Sequence, residues 1–133
     1  MKIYVAARFD RKQEVRGLYE RFESLGYEIA ADWTQDKSIK PYENNLEAAR
    51  EYPIIDVDAA RNCDVFILIT DEAGTGMYLE LGVAISSNLE HGKPRIYVIG
   101  EHISRSMFYF HPSVNRRETI DDKVWEELER VGS

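Results

Sequence analysis

Apolar and polar positions along this chain fall into alternating blocks with two different periods. Ile3 to Ala7 is a short apolar block that reads as a strand. From about Arg11 to Leu25, the residues Val15, Leu18, Tyr19, Phe22 and Leu25 are spaced to form one helix face, and Gly26 follows as a stop. Tyr27 to Trp33 reads as a second strand. Thr34 to Asn45 is polar, has no clear period and contains Pro41, so it is expected as a loop. Leu46 to Asn62 is helical in pattern, and Pro53 inside it predicts a break or restart. The unbroken apolar run Val65 to Ile69 suits a central strand covered on both faces. A glycine-containing loop, Thr70 to Gly76, leads into a helix over Met77 to about Asn88. Arg95 to Ile99 is the next strand, and Ser113 to Arg116 a short fifth one. A last helix over about Asp121 to Arg130 carries Val124, Trp125, Leu128 and Val131 on its inner side.

Strands that alternate with helices predict a parallel sheet with helices on both faces. The expected architecture is α/β: a flavodoxin-like, Rossmann-like three-layer sandwich with a five-stranded parallel sheet in the order 2-1-3-4-5, as one domain over residues 1–133. Ligands of such sheets bind beyond the C-terminal strand ends where the strand order reverses. Here that means the loops after the first and third strands.

Composition narrows the function. Apolar residues are 44% and charged residues 31% of the chain, the balance of a soluble globular protein. A net charge of −7 argues against a nucleic-acid polymer as partner, because phosphate neutralisation needs a basic face. A single nucleoside or nucleotide is still compatible. The longest apolar run is too short to cross a bilayer, and Met1 to Val5 leads straight into strand pattern, so a cytoplasmic protein with no membrane partner is expected. Cys63 stands alone just before a hydrophobic strand and reads as a buried packing residue. His91, His102 and His111 lack ligand spacing, so no metal site is predicted.

The loop Thr70-Asp71-Glu72-Ala73-Gly74-Thr75-Gly76 is the richest in chemistry. Gly74 and Gly76 on either side of Thr75 let backbone approach a bound group, and Thr75 is a plausible helix N-cap. The loop lacks the Lys-Ser/Thr ending of a P-loop and the third glycine of a dinucleotide fingerprint. Glu80 follows within the first two helical turns, where the helix dipole favours an ionised carboxylate. It either complements that dipole or serves as an acid at the mouth of a pocket; its neighbours Leu79, Leu81, Val83 and Ala84 favour the second reading. Arg8, after strand one, either pairs with a phosphate or is ordinary surface charge.

The segment Gly74-Thr75-Gly76-Met77-Tyr78-Leu79-Glu80-Leu81-Gly82, following Asp64 to Ile69, resembles the signature of the nucleoside 2-deoxyribosyltransferase family, which includes the 2'-deoxynucleoside 5'-phosphate N-hydrolases. An aromatic hydroxyl in strand one is matched by Tyr4. An Asp eight residues before the Asp that opens strand three is matched by Asp56, eight before Asp64. The resemblance spans residues 1–100. It implies that Glu80 is the nucleophile attacking the deoxyribosyl carbon, that Asp56 helps the base depart, and that Tyr4 orients Glu80. It further implies a substrate side built from Ala7, Arg8, Asp71, Gly74, Thr75 and Gly76, no cofactor, and a homo-oligomer of two or more copies.

The chain also departs from the family pattern. A family Asp six residues before the nucleophile falls on Gly74, leaving Asp71 or Glu72 to reach the base. The phosphate hydrolases use serines where Arg8 stands, and the tail lacks a match for the Asn that transferases lend to a neighbour. Transfer to another base and hydrolysis therefore both stay open. A non-catalytic nucleotide-binding module and an N-glycosidase for ribonucleotides or modified nucleotides are the alternatives.

Overall fold

The computed structural model describes residues 1–131; residues 132 and 133 of the domain expected over 1–133 lie outside the described residues. The described chain runs β1 (Lys2–Ala6), α1 (Lys12–Ser24), β2 (Glu28–Ile29), α2 (Leu46–Asn62), β3 (Val65–Ile69), α3 (Gly76–His91), β4 (Arg95–Ile99), β5 (Val114–Arg117) and α4 (Asp122–Val131), with short 3-10 turns between. The five strands are all parallel in the order β2-β1-β3-β4-β5, the expected flavodoxin-like α/β layout. Right-handed crossovers then put α1 on one face, where α4 joins it, and α2 with α3 on the other. The Phe22 and Trp125 rings meet 5.0 Å apart between α1 and α4.

The pattern of burial follows from this layering. All five residues of β3 are buried, as a strand covered on both faces requires. Each such aliphatic side chain stabilises the fold by roughly 1.5–3 kcal/mol. Cys63 is wholly buried at the end of α2, and its burial pushes the thiol up to about 12. No helix among the described residues is long and apolar enough to cross a membrane.

Two expectations fail for physical reasons. The second strand is only Glu28–Ile29 rather than Tyr27 to Trp33. Side chains take the next rung of the β1 ladder: the Tyr19 hydroxyl accepts from Val5 N at 2.9 Å, and Trp33 Nε1 donates to Val5 O at 2.7 Å. The second failure is the expected break at Pro53, because α2 is continuous from Leu46 to Asn62. Pro53 lies on the exposed side of α2, where water can solvate the carbonyl left free one turn earlier. Other boundaries shift by up to three residues; α3, for instance, starts at Gly76 and continues to His91.

Candidate active site

The site begins with the stripe that seats α3. Met77, Leu81 and Ala84 are the buried face of this helix, at steps of four and three residues. Glu80 borders that stripe, so its side chain is carried toward the sheet rather than into solvent, while Leu79 on the other flank is 61% exposed. The first two turns of α3 rise from the loop after β3, which places Glu80 at the point where strand order reverses between β1 and β3.

A cleft of about 580 Å³ opens there, and Tyr4, Asp56 and Glu80 all line it. Its size is that of a small-molecule site. Tyr4 comes from the buried middle of β1, Asp56 from α2 one turn beyond Pro53, and Glu80 from α3. The Glu80 Oε2 atom is buried with no protein partner. Burial pushes the Glu80 carboxyl up to about 7; the hydrogen bond from the Tyr4 hydroxyl pulls it down, and the Asp56 charge raises it again. Burial, followed by the Glu80 and Asp56 charges, holds the Tyr4 phenol far above its ordinary range, so Tyr4 is a fixed donor. Asp56 is pushed up to about 6, first by burial and then by Asp36. Two carboxyls raised into the range where a proton is held or released near neutral pH thus line one cleft, the kind of pair that glycosyl chemistry uses.

The substrate-side residues separate into two groups. Ala7 and Gly76 line the cleft. Arg8, Asp71, Gly74 and Thr75 do not. Asp71 is buried and accepts from Arg11 Nε at 2.7 Å and from Ala73 N at 3.1 Å. Arg8 stands 3.9 Å from Asp71 and 3.4 Å from Asp10. Gly74 turns the loop at φ +99°, a conformation that favours glycine. Thr75 occupies the N-cap position of α3, but its hydroxyl makes no capping bond. The loop therefore holds its shape through an Arg11–Asp71 ion pair and presents only its last residue to the cleft.

Sequence reasoning missed the opposite wall. Trp33, Asp36, Lys37 and Lys40 from the segment after β2 line the cleft, with Phe9 packed beside Trp33 at 6.3 Å between ring centroids. The available signal was topological: this segment also leaves the C-terminal end of a strand beside the switch point. A second depression, of about 630 Å³, lies at the other end of the sheet and is lined by Met1, Asp64 and Lys93. Its one acid is already engaged, since Asp64 accepts from Lys2 N at 2.8 Å and pairs with Lys93 at 3.4 Å. Among the described residues no cluster of His, Cys, Asp or Glu is arranged to hold a metal ion.

No protein-family model matches the chain, and no curated protein does. Among solved structures it is similar to the Clostridium botulinum CMP N-glycosidase BcmB, with a TM-score of 0.60 and 16% sequence identity over 97% of this chain and 99% of that one. The likeness extends the flavodoxin-like architecture to a protein whose work is cutting a glycosidic bond.

Proposed function

We propose that this chain is an enzyme that cleaves the N-glycosidic bond of a 2'-deoxyribonucleoside or its 5'-monophosphate by a retaining, two-step route. The observation that carries the reading is the buried, unpartnered oxygen of Glu80 in a cleft shared with Tyr4 and Asp56. Glu80 attacks the anomeric carbon as the bond to the base breaks, and the base leaves with the bonding pair and a proton from Asp56. Tyr4 donates to Glu80, favouring its ionised form and fixing its direction. Another base, or water, then attacks the glycosyl ester, returns a proton to Asp56 and frees Glu80.

Ala7 and Gly76 belong to the sugar side of this reading, with Arg8, Asp71, Gly74 and Thr75 supporting the loop behind it. No cofactor enters the scheme. Exposed Ile54 and Leu79 are apolar surface that a second copy could shield, which supports a homo-oligomer; a sedimentation measurement of mass tests that. A cytoplasmic enzyme of nucleotide metabolism is the corresponding setting.

The similarity to an enzyme acting on CMP, a ribonucleotide, favours a second reading in which the sugar is ribose. Incubation with deoxynucleosides, ribonucleosides and their monophosphates, with and without a free acceptor base, decides among these. Exchange that requires the acceptor indicates transfer, and free sugar or sugar phosphate indicates hydrolysis. Ligand-induced thermal stabilisation with no product would refute the enzymatic reading in favour of a binding module.

A further inference from the structure

Lys37 and Lys40, on the segment after β2, line the cleft, and among the described residues no other Lys and no Arg does. Neither ammonium has a hydrogen-bond or ion-pair partner among the described residues. The cations that follow β1 are all occupied. Arg8 stands between Asp10 and Asp71, Arg11 pairs with Asp71 and Glu14, and Lys12 lies 5.0 Å from the centre of the Phe9 ring. A chain of net charge −7 therefore leaves two unpaired positive charges in the cleft that carries Glu80.

The backbone beneath these lysines is held. The Asp36 N–H donates to Trp33 O at 3.0 Å, and the Trp33 indole is pinned to Val5 O at 2.7 Å. Asn45, the residue before α2, donates through its side-chain amide to Ile39 O at 3.0 Å and to Pro41 O at 3.2 Å. Those two carbonyls flank Lys40, so one side chain grips the backbone on both sides of it. Lys37 and Lys40 are themselves exposed, whereas Asp36 and Asp56 are half-buried and Glu80 Oε2 is buried. The cleft is thus polarised, with cations at its rim and carboxyls deeper in.

We infer that Lys37 and Lys40 form a phosphate-binding rim that makes a nucleoside 5'-monophosphate the preferred ligand over the free nucleoside, with Asn45 positioning Lys40. The nucleoside part of this ligand rests on the function proposed above; the phosphate part rests on the lysines. A phosphate monoester carries nearly two negative charges at neutral pH, which two ammonium groups match. The field of an acidic chain repels such a group everywhere except at a local cationic patch. A phosphate that entered the cleft first would stand beside the carboxyls. Held at the rim, it leaves the glycosidic bond turned inward, toward Glu80.

The test reads binding separately from turnover. Calorimetry on the full chain carrying Glu80→Gln measures affinity for the common nucleosides and their 5'-monophosphates, with thermal melts to verify folding. Monophosphates are expected to bind at least about tenfold more tightly than the matching nucleosides. Lys37→Ala and Lys40→Ala are each expected to lower that ratio about three- to tenfold, Lys40→Arg to keep most of it, and added salt to lower it as well. Asn45→Ala is expected to lower it about twofold, whereas mere loosening of the cleft weakens both ligands alike and overturns the part given to Asn45. Equal affinity for both ligands, or a ratio that survives loss of both lysines, overturns the rim; cleavage by the native chain then leaves the glycosidase reading standing. A ratio lost in Arg8→Ala but kept in the lysine variants also overturns it, because the phosphate then sits at the loop after β1. A lysine-dependent ratio in a chain whose native form cleaves no member of the panel overturns the glycosidase reading and upholds the rim. Binding of no member of the panel overturns both.

Discussion

Glu80 is the residue on which the proposed chemistry turns, and two opposing influences act on it. Burial resists its charge, while Tyr4 supports it. Glu80→Gln keeps the shape and removes the nucleophile, so base release should fall at least about a thousandfold in a single-turnover assay. Glu80, Tyr4 and Asp56 were legible in the sequence through the resemblance to the nucleoside 2-deoxyribosyltransferase family, and the fold brings all three to one cleft. The wall with Trp33 and Asp36 was not, since its place in the cleft depends on how an aperiodic segment folds back. Arg8 and Asp71 show the converse. Each looked free for substrate, and only the fold brings Asp71 to Arg11, sixty positions earlier, to make a bond that spends the carboxylate on the loop.

At the scale of elements, the cleft depends on anchors at its margins. Trp33 fixes the wall after β2 through one buried bond to Val5 O. Trp33→Phe retains the ring but loses that bond, at a cost of about 1–2 kcal/mol. It is expected to raise KM several-fold with a smaller change in kcat, because the wall loosens while Glu80 stays in place; steady-state kinetics on any cleaved substrate reads the split. The ends of β3 and β4 have an equally narrow tolerance. Gly100 has φ +137°, and a Cβ there would run into the Thr70 hydroxyl, which accepts from His102 N at 3.2 Å. Gly100→Ala is expected to destabilise the fold by roughly 1–3 kcal/mol, seen as a lowered Tm. Periodicity revealed the long elements and missed the short ones. The end of β2 is decided by side chains from α1 and the following turn, which no local pattern encodes, and the survival of α2 through Pro53 depends on which side of the helix meets water.

Across the whole molecule, the carboxyls divide by the direction in which the fold moves them. Asp71, Asp64 and Glu127 are held below their ordinary values: Asp71 by Arg11, Asp64 by the Lys2 backbone N–H and Lys93, and Glu127 by Tyr97 and Arg117. They contribute stability that is lost as pH falls below the ordinary carboxylate range. Glu80 and Asp56 are raised, to about 7 and about 6. The folded chain therefore binds their protons more tightly than the unfolded chain does. Their contribution is present at low pH and is lost as pH rises from their ordinary values, 4.5 and 3.8, through those raised ones. The Tm should accordingly be highest at about pH 4–5 and decline toward pH 7. In Glu80→Gln the decline should be shallower, with the remainder due to Asp56; a flat native profile over this range would show that the carboxyls are not buried as described.

The rung at Val5 has a consequence for how such a chain can change. Because a tyrosine hydroxyl and an indole N–H complete the ladder there, the sheet does not need β2 to continue past Ile29. The backbone from Lys37 to Asn45 is thereby released from pairing with the sheet and becomes a replaceable panel on a fixed frame. Tyr19 and Trp33 hold the frame, and Glu80 stays where α3 puts it. Residues 37–45 can be exchanged, inserted or lost at little cost to folding, so the range of ligands that fit the cleft can drift while the end that carries Glu80 stays constant.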